Sequence, residues 1–145
     1  MSISPALARA EKYCAENNHR FSEQRKNVLE VLAASKKAVG AYDIMQALSS
    51  EDNMVKPPTV YRALDFWVKH GFAHKIESLN AYIACCNDHD HDHSLIMICN
   101  DCQQIDEVAF PHLPDHISAT LDIRHFTLDK SVMEITGYCA QCSGT

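Results

Sequence analysis

Residues 56–71 read Lys56-Pro57-Pro58-Thr59-Val60-Tyr61-Arg62-Ala63-Leu64-Asp65-Phe66-Trp67-Val68-Lys69-His70-Gly71. A proline at the front opens a helix, because its missing N–H would be unbonded there anyway, and a glycine closes one. Val60, Ala63, Leu64 and Trp67 recur at i, i+3, i+4 and i+7, which predicts one buried stripe. Tyr61, Arg62, Asp65 and Lys69 fall on the opposite face. An ordinary amphipathic helix satisfies the same spacing. The sharper alternative comes from what precedes it. A short helical pattern at 42–48, with Ile44, Ala47 and Leu48 apolar, is followed by a loop at 49–55. Helix, loop and a second helix with Tyr and Arg exposed in its first turns is the helix-turn-helix pattern. Its second helix offers those residues to base edges in the major groove, where arginine pairs bidentately with guanine.

Upstream, residues 6–17 read as a helix with Leu7, Ala10 and Cys14 on one stripe. Cys14 fits a buried small hydrophobe there better than a ligand. Ser22 is placed to cap a second helix over 23–34, with Val28, Leu29 and Leu32 inward. Arg25 and Lys26 near its start fit a solvated basic turn or a phosphate contact equally well. Residues 36–40 read as a polar connection. Downstream, 72–76 and 81–85 are strand-like and joined by Glu77-Ser78-Leu79-Asn80, a hairpin that follows the helices as a wing. Helices followed by a wing make a winged-helix domain.

At Cys85 the composition changes. The chain continues Cys85-Cys86-Asn87-Asp88-His89-Asp90-His91-Asp92-His93, then Leu95-Ile96-Met97-Ile98, Cys99-Asn100-Asp101-Cys102 and Asp106-Glu107, and a second Cys-x-x-Cys follows at Cys139-Ala140-Gln141-Cys142. Thiolates, imidazoles and carboxylates at this density are the donors of a zinc site. The charge divides at the same place. Residues 1–84 carry 11 Lys+Arg against 9 Asp+Glu, and residues 85–145 carry 2 against 10, so a net −6 hides a +2 half and a −8 half. Such asymmetry separates a possible nucleic-acid face from a metal-binding one. The reading divides the chain into a winged-helix domain at 1–85, a hinge and metal-ligand loop at 86–93, and a dimerisation and zinc-binding domain at 94–145.

In that last part, 95–98 and 105–110 read as strands paired through the first Cys-x-x-Cys. A helix opens at Pro111 or Pro114 with Leu113, Ile117 and Leu121 in line. A strand pattern follows, Phe126/Leu128 and Met133/Ile135, broken by Asp129-Lys130-Ser131. His112 and His116, at i and i+4, could hold a metal on that helix, although a solvated pair is the plainer reading. The fold class is α+β: an N-terminal winged helix-turn-helix domain plus a C-terminal α+β dimerisation domain. Roughly 60 residues bury too little surface to stand alone, which favours a partner subunit.

No apolar run approaches the ~18 residues of a membrane span. The N-terminus lacks the basic and apolar regions of a signal peptide, so the expected compartment is the cytoplasm. In a reducing compartment seven cysteines, an odd number, read as metal ligands rather than a disulfide framework. Cys99, Cys102, Cys139 and Cys142 form two pairs whose two-residue spacers let both sulfurs face one tetrahedral ion. A redox Cys-x-x-Cys would need a helix start; both pairs here read as strand-end knuckles.

Several stretches resemble the ferric uptake regulator superfamily, and within it the zinc-uptake regulators. They are Arg20-Phe21-Ser22-Glu23-Gln24-Arg25, Ala41-Tyr42-Asp43, the segment Lys56 to Leu64, Gly71-Phe72-Ala73-His74-Lys75-Ile76-Glu77-Ser78, and the paired Cys-x-x-Cys motifs. The resemblance covers almost the whole chain. It implies a zinc-responsive transcriptional repressor that binds palindromic double-stranded operator DNA as a homodimer when its regulatory site is filled, and so controls zinc-uptake genes. It also implies two Zn2+ per subunit. One is structural, on Cys99, Cys102, Cys139 and Cys142. The other is regulatory, on His74, Cys85, His93 and Glu107, with His91 second choice to His93. For the DNA face it implies Tyr42 and Arg62, supported by Thr59 and Tyr61. The alternative within the superfamily is a sensor of iron, manganese or peroxide; the soft sulfur of Cys85 argues for zinc. An enzyme, a membrane protein and a small-molecule binder are not expected. A zinc hydrolase needs an open coordination position, which four-ligand sites lack.

Overall fold

A computed structural model describes residues 4–85 and 93–144. The chain forms two compact units, Met1–Cys86 and Asn87–Thr145.

The first unit contains α1 (Pro5–Glu16), α2 (Glu23–Ala34), α3 (Ala41–Leu48), α4 (Pro57–Lys69) and the hairpin β1 (Ala73–Ile76) and β2 (Ala81–Ala84). Side-chain oxygens start the first two helices. Ser4 Oγ accepts from the Leu7 amide and Ser22 Oγ from the Arg25 amide, each at 3.3 Å, satisfying amides that lack a helical partner. α4 has no side-chain cap at Lys56; Pro57 and Pro58 remove two of the N–H groups a cap would serve. α4 ends in a Schellman turn: the Phe72 amide donates to the Trp67 carbonyl at 2.8 Å and the Gly71 amide to that of Val68 at 3.2 Å. Gly71, at φ 82°, takes the left-handed conformation this turn requires. The Phe72 and Trp67 rings then meet edge to face, 5.4 Å between centroids.

The core of this unit joins Leu7, Ala10 and Cys14 of α1, Val28, Leu29 and Leu32 of α2, Ile44 of α3, and Val60, Ala63, Leu64 and Trp67 of α4. The stripe expected of α4 is the stripe found. Two local readings need correction. Ala47 is exposed, because α3 is short and buries only Ala41 and Ile44. The 36–40 connection is more than a polar loop: Val39 exchanges both backbone hydrogen bonds with Tyr82, at 2.8 and 2.9 Å. This bridge satisfies groups on the outer edge of β2.

The second unit is a three-stranded sheet, β3 (His93–Cys99), β4 (Ile105–Phe110) and β5 (Ser131–Gly137), in the order β4-β3-β5, with α5 (Asp115–Ile123) between β4 and β5. β3 pairs antiparallel with β4 and parallel with β5. A parallel neighbour needs a crossover, and α5 provides it. Ser94, Ile96 and Ile98 are buried on one face of β3. The strand pattern at Phe126/Leu128 is not realised. α5 ends in its own Schellman turn, with the Phe126 amide donating to Leu121 at 2.9 Å and His125 at φ 52°, so the helix end claims Phe126. Leu113 and His112 precede the helix, and Pro114 is its N-cap. His112 and His116 therefore do not share a helical face. Among the described residues, no helix is long and apolar enough to cross a membrane.

Candidate metal centres and nucleic-acid interface

Four sulfurs converge at one end of the second unit's sheet. Cys99 is the last residue of β3, opposite Gly137 of β5. The Asn100 amide continues that pairing to the Gly137 carbonyl at 2.8 Å. The chain after Cys99 turns back through Gln103, at φ 62°, so that Cys102 returns beside Cys99. Beyond Gly137, amides of Cys142 and Ser143 fold onto the Cys139 carbonyl at 3.0 and 2.8 Å. All four Sγ atoms lie within 4.8 Å of one another, and those of Cys102 and Cys139 are 3.8 Å apart. Tetrahedral zinc with bonds of about 2.3 Å separates its sulfurs by about 3.8 Å; a disulfide would bring them to about 2.05 Å. The donor set fits a closed, four-thiolate zinc.

The thiols are not equivalent. The Cys139 amide donates to Cys99 Sγ at 3.4 Å. That bond, with a second from the Cys102 amide, brings Cys99 down to about 6. At Cys102 the Gln104 amide pulls the thiol down, but burial and the neighbouring sulfurs of Cys99 and Cys139 outweigh it, and its pKa is raised. The sulfurs of Cys139 and Cys99 push Cys142 up to about 12. Crowded thiols share protons until a cation replaces them.

In the first unit the wing brings a second donor pair together. The Cys85 amide extends the hairpin by one rung, donating to the Phe72 carbonyl at 2.9 Å. His74 is two residues beyond Phe72, so both side chains leave the same face. Their ligand atoms lie within 4.8 Å. Arg9 of α1 donates to the Cys85 carbonyl at 3.4 Å, which holds this end of the wing against the helices.

Glu107 and His93 belong to the second unit and lie on opposite faces of its sheet. Glu107 is opposite Ile96 and shares that residue's face; His93 is opposite Phe110 and Ser131 and, three residues from Ile96, takes the other. Its ring stacks on Phe110 at 5.8 Å and its Nδ1 is 3.0 Å from Ser131 Oγ. His91 lies outside the described residues.

The nucleic-acid candidates are on α3 and α4. Tyr42 is 66% exposed and Tyr61 47%, Arg62 is exposed and Thr59 half-buried. The Tyr42 hydroxyl accepts from Gln46 Nε2 at 3.0 Å, which orients the ring. Beneath this face Arg25 lies flat on Phe66, its guanidinium carbon 3.7 Å from the ring centroid, and it donates to the Arg20 carbonyl. The sequence offered only its charge and position; the stacking partner, 41 positions away, was not legible.

Helices and a wing in one unit, and a thiolate-rich metal centre in the other, define a metal-dependent winged-helix protein. Residues 16–136 match the ferric uptake regulator family, and the chain belongs to it. It is 39% identical to the zinc uptake regulation protein of Escherichia coli (strain K12) over 137 residues, covering 94% of this chain and 80% of that protein. Its structure resembles that of a zinc uptake regulator complexed with zinc and DNA, with a TM-score of 0.86, 36% identity, and coverage of 98% and 97% of the two chains. It also resembles the crystal structure of holo XcZur, with a TM-score of 0.83, 32% identity, and coverage of 96% and 97%.

Proposed function

We propose that this protein is a zinc-responsive transcriptional repressor, which binds operator DNA as a homodimer and restrains zinc-uptake genes. The observation that carries this reading is the Cys85 sulfur beside the His74 imidazole on the wing. A thiolate in that position selects zinc over iron or manganese, which favour oxygen and imidazole donors. Two zinc ions serve each subunit. One ties Cys99, Cys102, Cys139 and Cys142 together and stabilises the second unit. The other is the signal. It takes His74 and Cys85 from the wing, and the reading adds Glu107 and one histidine of the 89–93 tract. His93 is the first choice and His91 the second; because His93 and Glu107 take opposite faces of the sheet, zinc titration of His91→Ala and His93→Ala decides which one joins.

Filling the regulatory site selects the DNA-competent conformer. A hundredfold gain in operator affinity requires that zinc favour that conformer by about 2.7 kcal/mol. Arg62 reads a purine edge, Tyr42 contacts base or sugar, and Thr59 and Tyr61 support them. Residues 1–85 act as the DNA-binding part, 86–93 as hinge, and 94–145 as the dimerisation part. The second unit's exposed Val108, Val132, Ile135 and Tyr138 are apolar surface suited to burial between subunits. The protein acts in the cytoplasm and catalyses no reaction.

The test is fluorescence anisotropy of a palindromic operator duplex from a zinc-uptake promoter, at fixed salt, across buffered free zinc, with iron(II) and manganese(II) in parallel. Binding that rises steeply with zinc alone is expected. Binding indifferent to zinc, or tuned by iron or manganese, would overturn the reading and make this a sensor of another signal.

A further inference from the structure

Four rings meet where the C-terminal end of α4 packs on α1. His70, the C-cap of α4, has its Nδ1 2.9 Å from the Tyr13 hydroxyl of α1. Its ring centroid lies 4.6 Å from that of His19, 4.5 Å from Phe66 and 5.5 Å from Tyr13. His19 closes the group, stacked on Tyr13 at 6.0 Å and edge-on to Phe66 at 5.4 Å. Backbone bonds fix both histidines. His19 ends α1 through a Schellman turn, its amide donating to Cys14 at 2.9 Å, after Asn18 at φ 58°. His70 ends α4 immediately before Gly71. Neither imidazole is among the donors assigned to a metal, and neither faces DNA in the proposed reading.

We propose that the His19–His70 pair is an acid-sensitive latch holding the C-terminal end of α4 to α1. In the neutral His70 tautomer that carries its proton on Nε2, the Tyr13 hydroxyl donates to Nδ1. A proton on that nitrogen forces the bond to reverse. It also places a cation in a half-buried ring cluster where the other charges are Lys69 on its own helix, Arg25 on α2 and, once protonated, His19. None of these is a carboxylate. Burial first, then these like charges, holds the folded His70 below the ordinary value of 6.5. The unfolded chain therefore binds the proton more readily. The latch contributes its full stability above the ordinary pKa and loses it as pH falls through that value toward the depressed one. α4 carries Arg62 about two turns before His70, so an opened latch loosens the seat of the residue proposed to read DNA. That last link rests on the function proposed above; the latch itself does not.

The experiment uses the zinc-loaded full-length chain. Urea unfolding is followed by the fluorescence of Trp67, the sole tryptophan, from about pH 5 to 8, spanning the ordinary histidine range. Wild type, His70→Gln and His19→Gln are compared. Wild type is expected to lose stability as pH falls through the histidine range. The loss approaches about tenfold in the unfolding equilibrium for each unit by which His70 is depressed. His70→Gln removes this component, and His19→Gln shrinks it by deleting one of the like charges. Equal acid losses in wild type and His70→Gln would overturn the latch. If His70→Gln fails to fold, His19→Gln decides: a smaller acid loss than wild type supports the latch and an unchanged one overturns it. Direct NMR titration of the His70 ring at or above the ordinary pKa would also overturn it.

Operator anisotropy at saturating zinc completes the test. Wild type should lose more affinity in acid than His70→Gln; equal losses would overturn the coupling to DNA. Failure of the wild type to bind operator with zinc would sink the functional reading, while the Trp67 profiles still decide the latch.

Discussion

The indole Nε1 of Trp67 donates to the backbone carbonyl of Arg25 at 2.8 Å, tying the last turn of α4 to the first turn of α2. Trp67 is fully buried, so its polar atom needs that partner. Trp67→Phe keeps an aromatic ring but removes this bond, leaving the Arg25 carbonyl with only its helical partner in α2, and leaves a cavity. The expected cost is about 1.5–3 kcal/mol from the lost hydrogen bond and the lost volume. Urea unfolding followed by circular dichroism measures it; a cost below about 1 kcal/mol would show that this bond does not hold the two helices together.

Cys139→Ser removes one of four sulfurs from the closed cluster. Zinc content should fall from two ions per chain to one or fewer, and the second unit should lose its fixed fold, because structural zinc binding is folding free energy, of order 10 kcal/mol. Metal analysis with light scattering tests this. A variant that keeps two zinc ions and a stable dimer would contradict the structural role.

Zinc loading of the reduced, metal-free cluster should release protons. Near pH 7.5 the Cys99 thiol, at about 6, is already ionised, whereas Cys142, at about 12, and the raised Cys102 still hold theirs. Zinc must displace at least those two, so apparent affinity rises with pH. A weakly buffered indicator titration counts the protons; release of none would mean that zinc does not bind as a thiolate complex.

Cys85→Ser leaves the wing's backbone pairing in place and replaces its soft donor with a weak one. Zinc-dependent operator affinity should fall by at least about tenfold to a hundredfold, with little change in residual zinc-free binding. Anisotropy across buffered zinc separates the two. An unchanged zinc response would assign Cys85 to packing.

Arg62 is exposed in the second turn of α4, and Arg62→Ala should relax discrimination at one base position by about 1–3 kcal/mol. Tyr42→Phe, which keeps the ring, should cost less. Binding to a panel of single-base operator variants at constant salt reads this; discrimination retained in Arg62→Ala would end its base-reading role.

Local signals in the first unit were legible in the sequence to within a residue, whereas β3, read at 95–98, runs from His93 to Cys99. Ser22 caps the helix it was expected to cap, and α4 buries the four side chains its period selects, because caps and helical periodicity involve neighbours three or four positions apart. The hairpins were equally readable, since short turns set their register. What failed depended on distant competition: Phe126 carries a strand pattern but closes a helix, and Val39 sits in a polar connection but pairs with Tyr82.

The sequence by itself determined the α+β composition, the helical order of the first unit and the donor types of both metal centres. These follow from residue chemistry and short-range spacing. Tertiary structure alone decided which groups meet. The parallel pairing of β3 with β5 sets Cys99 beside Gly137 and so gathers four sulfurs spread over 44 residues. Strand register turns His93 and Glu107 to opposite faces, although both lie in one donor-rich stretch. The packing of α4 on α1 makes neighbours of His19 and His70, which no local pattern connects. Such meetings depend on register and packing across the whole unit, where a shift of one residue reverses the face of every side chain in a strand.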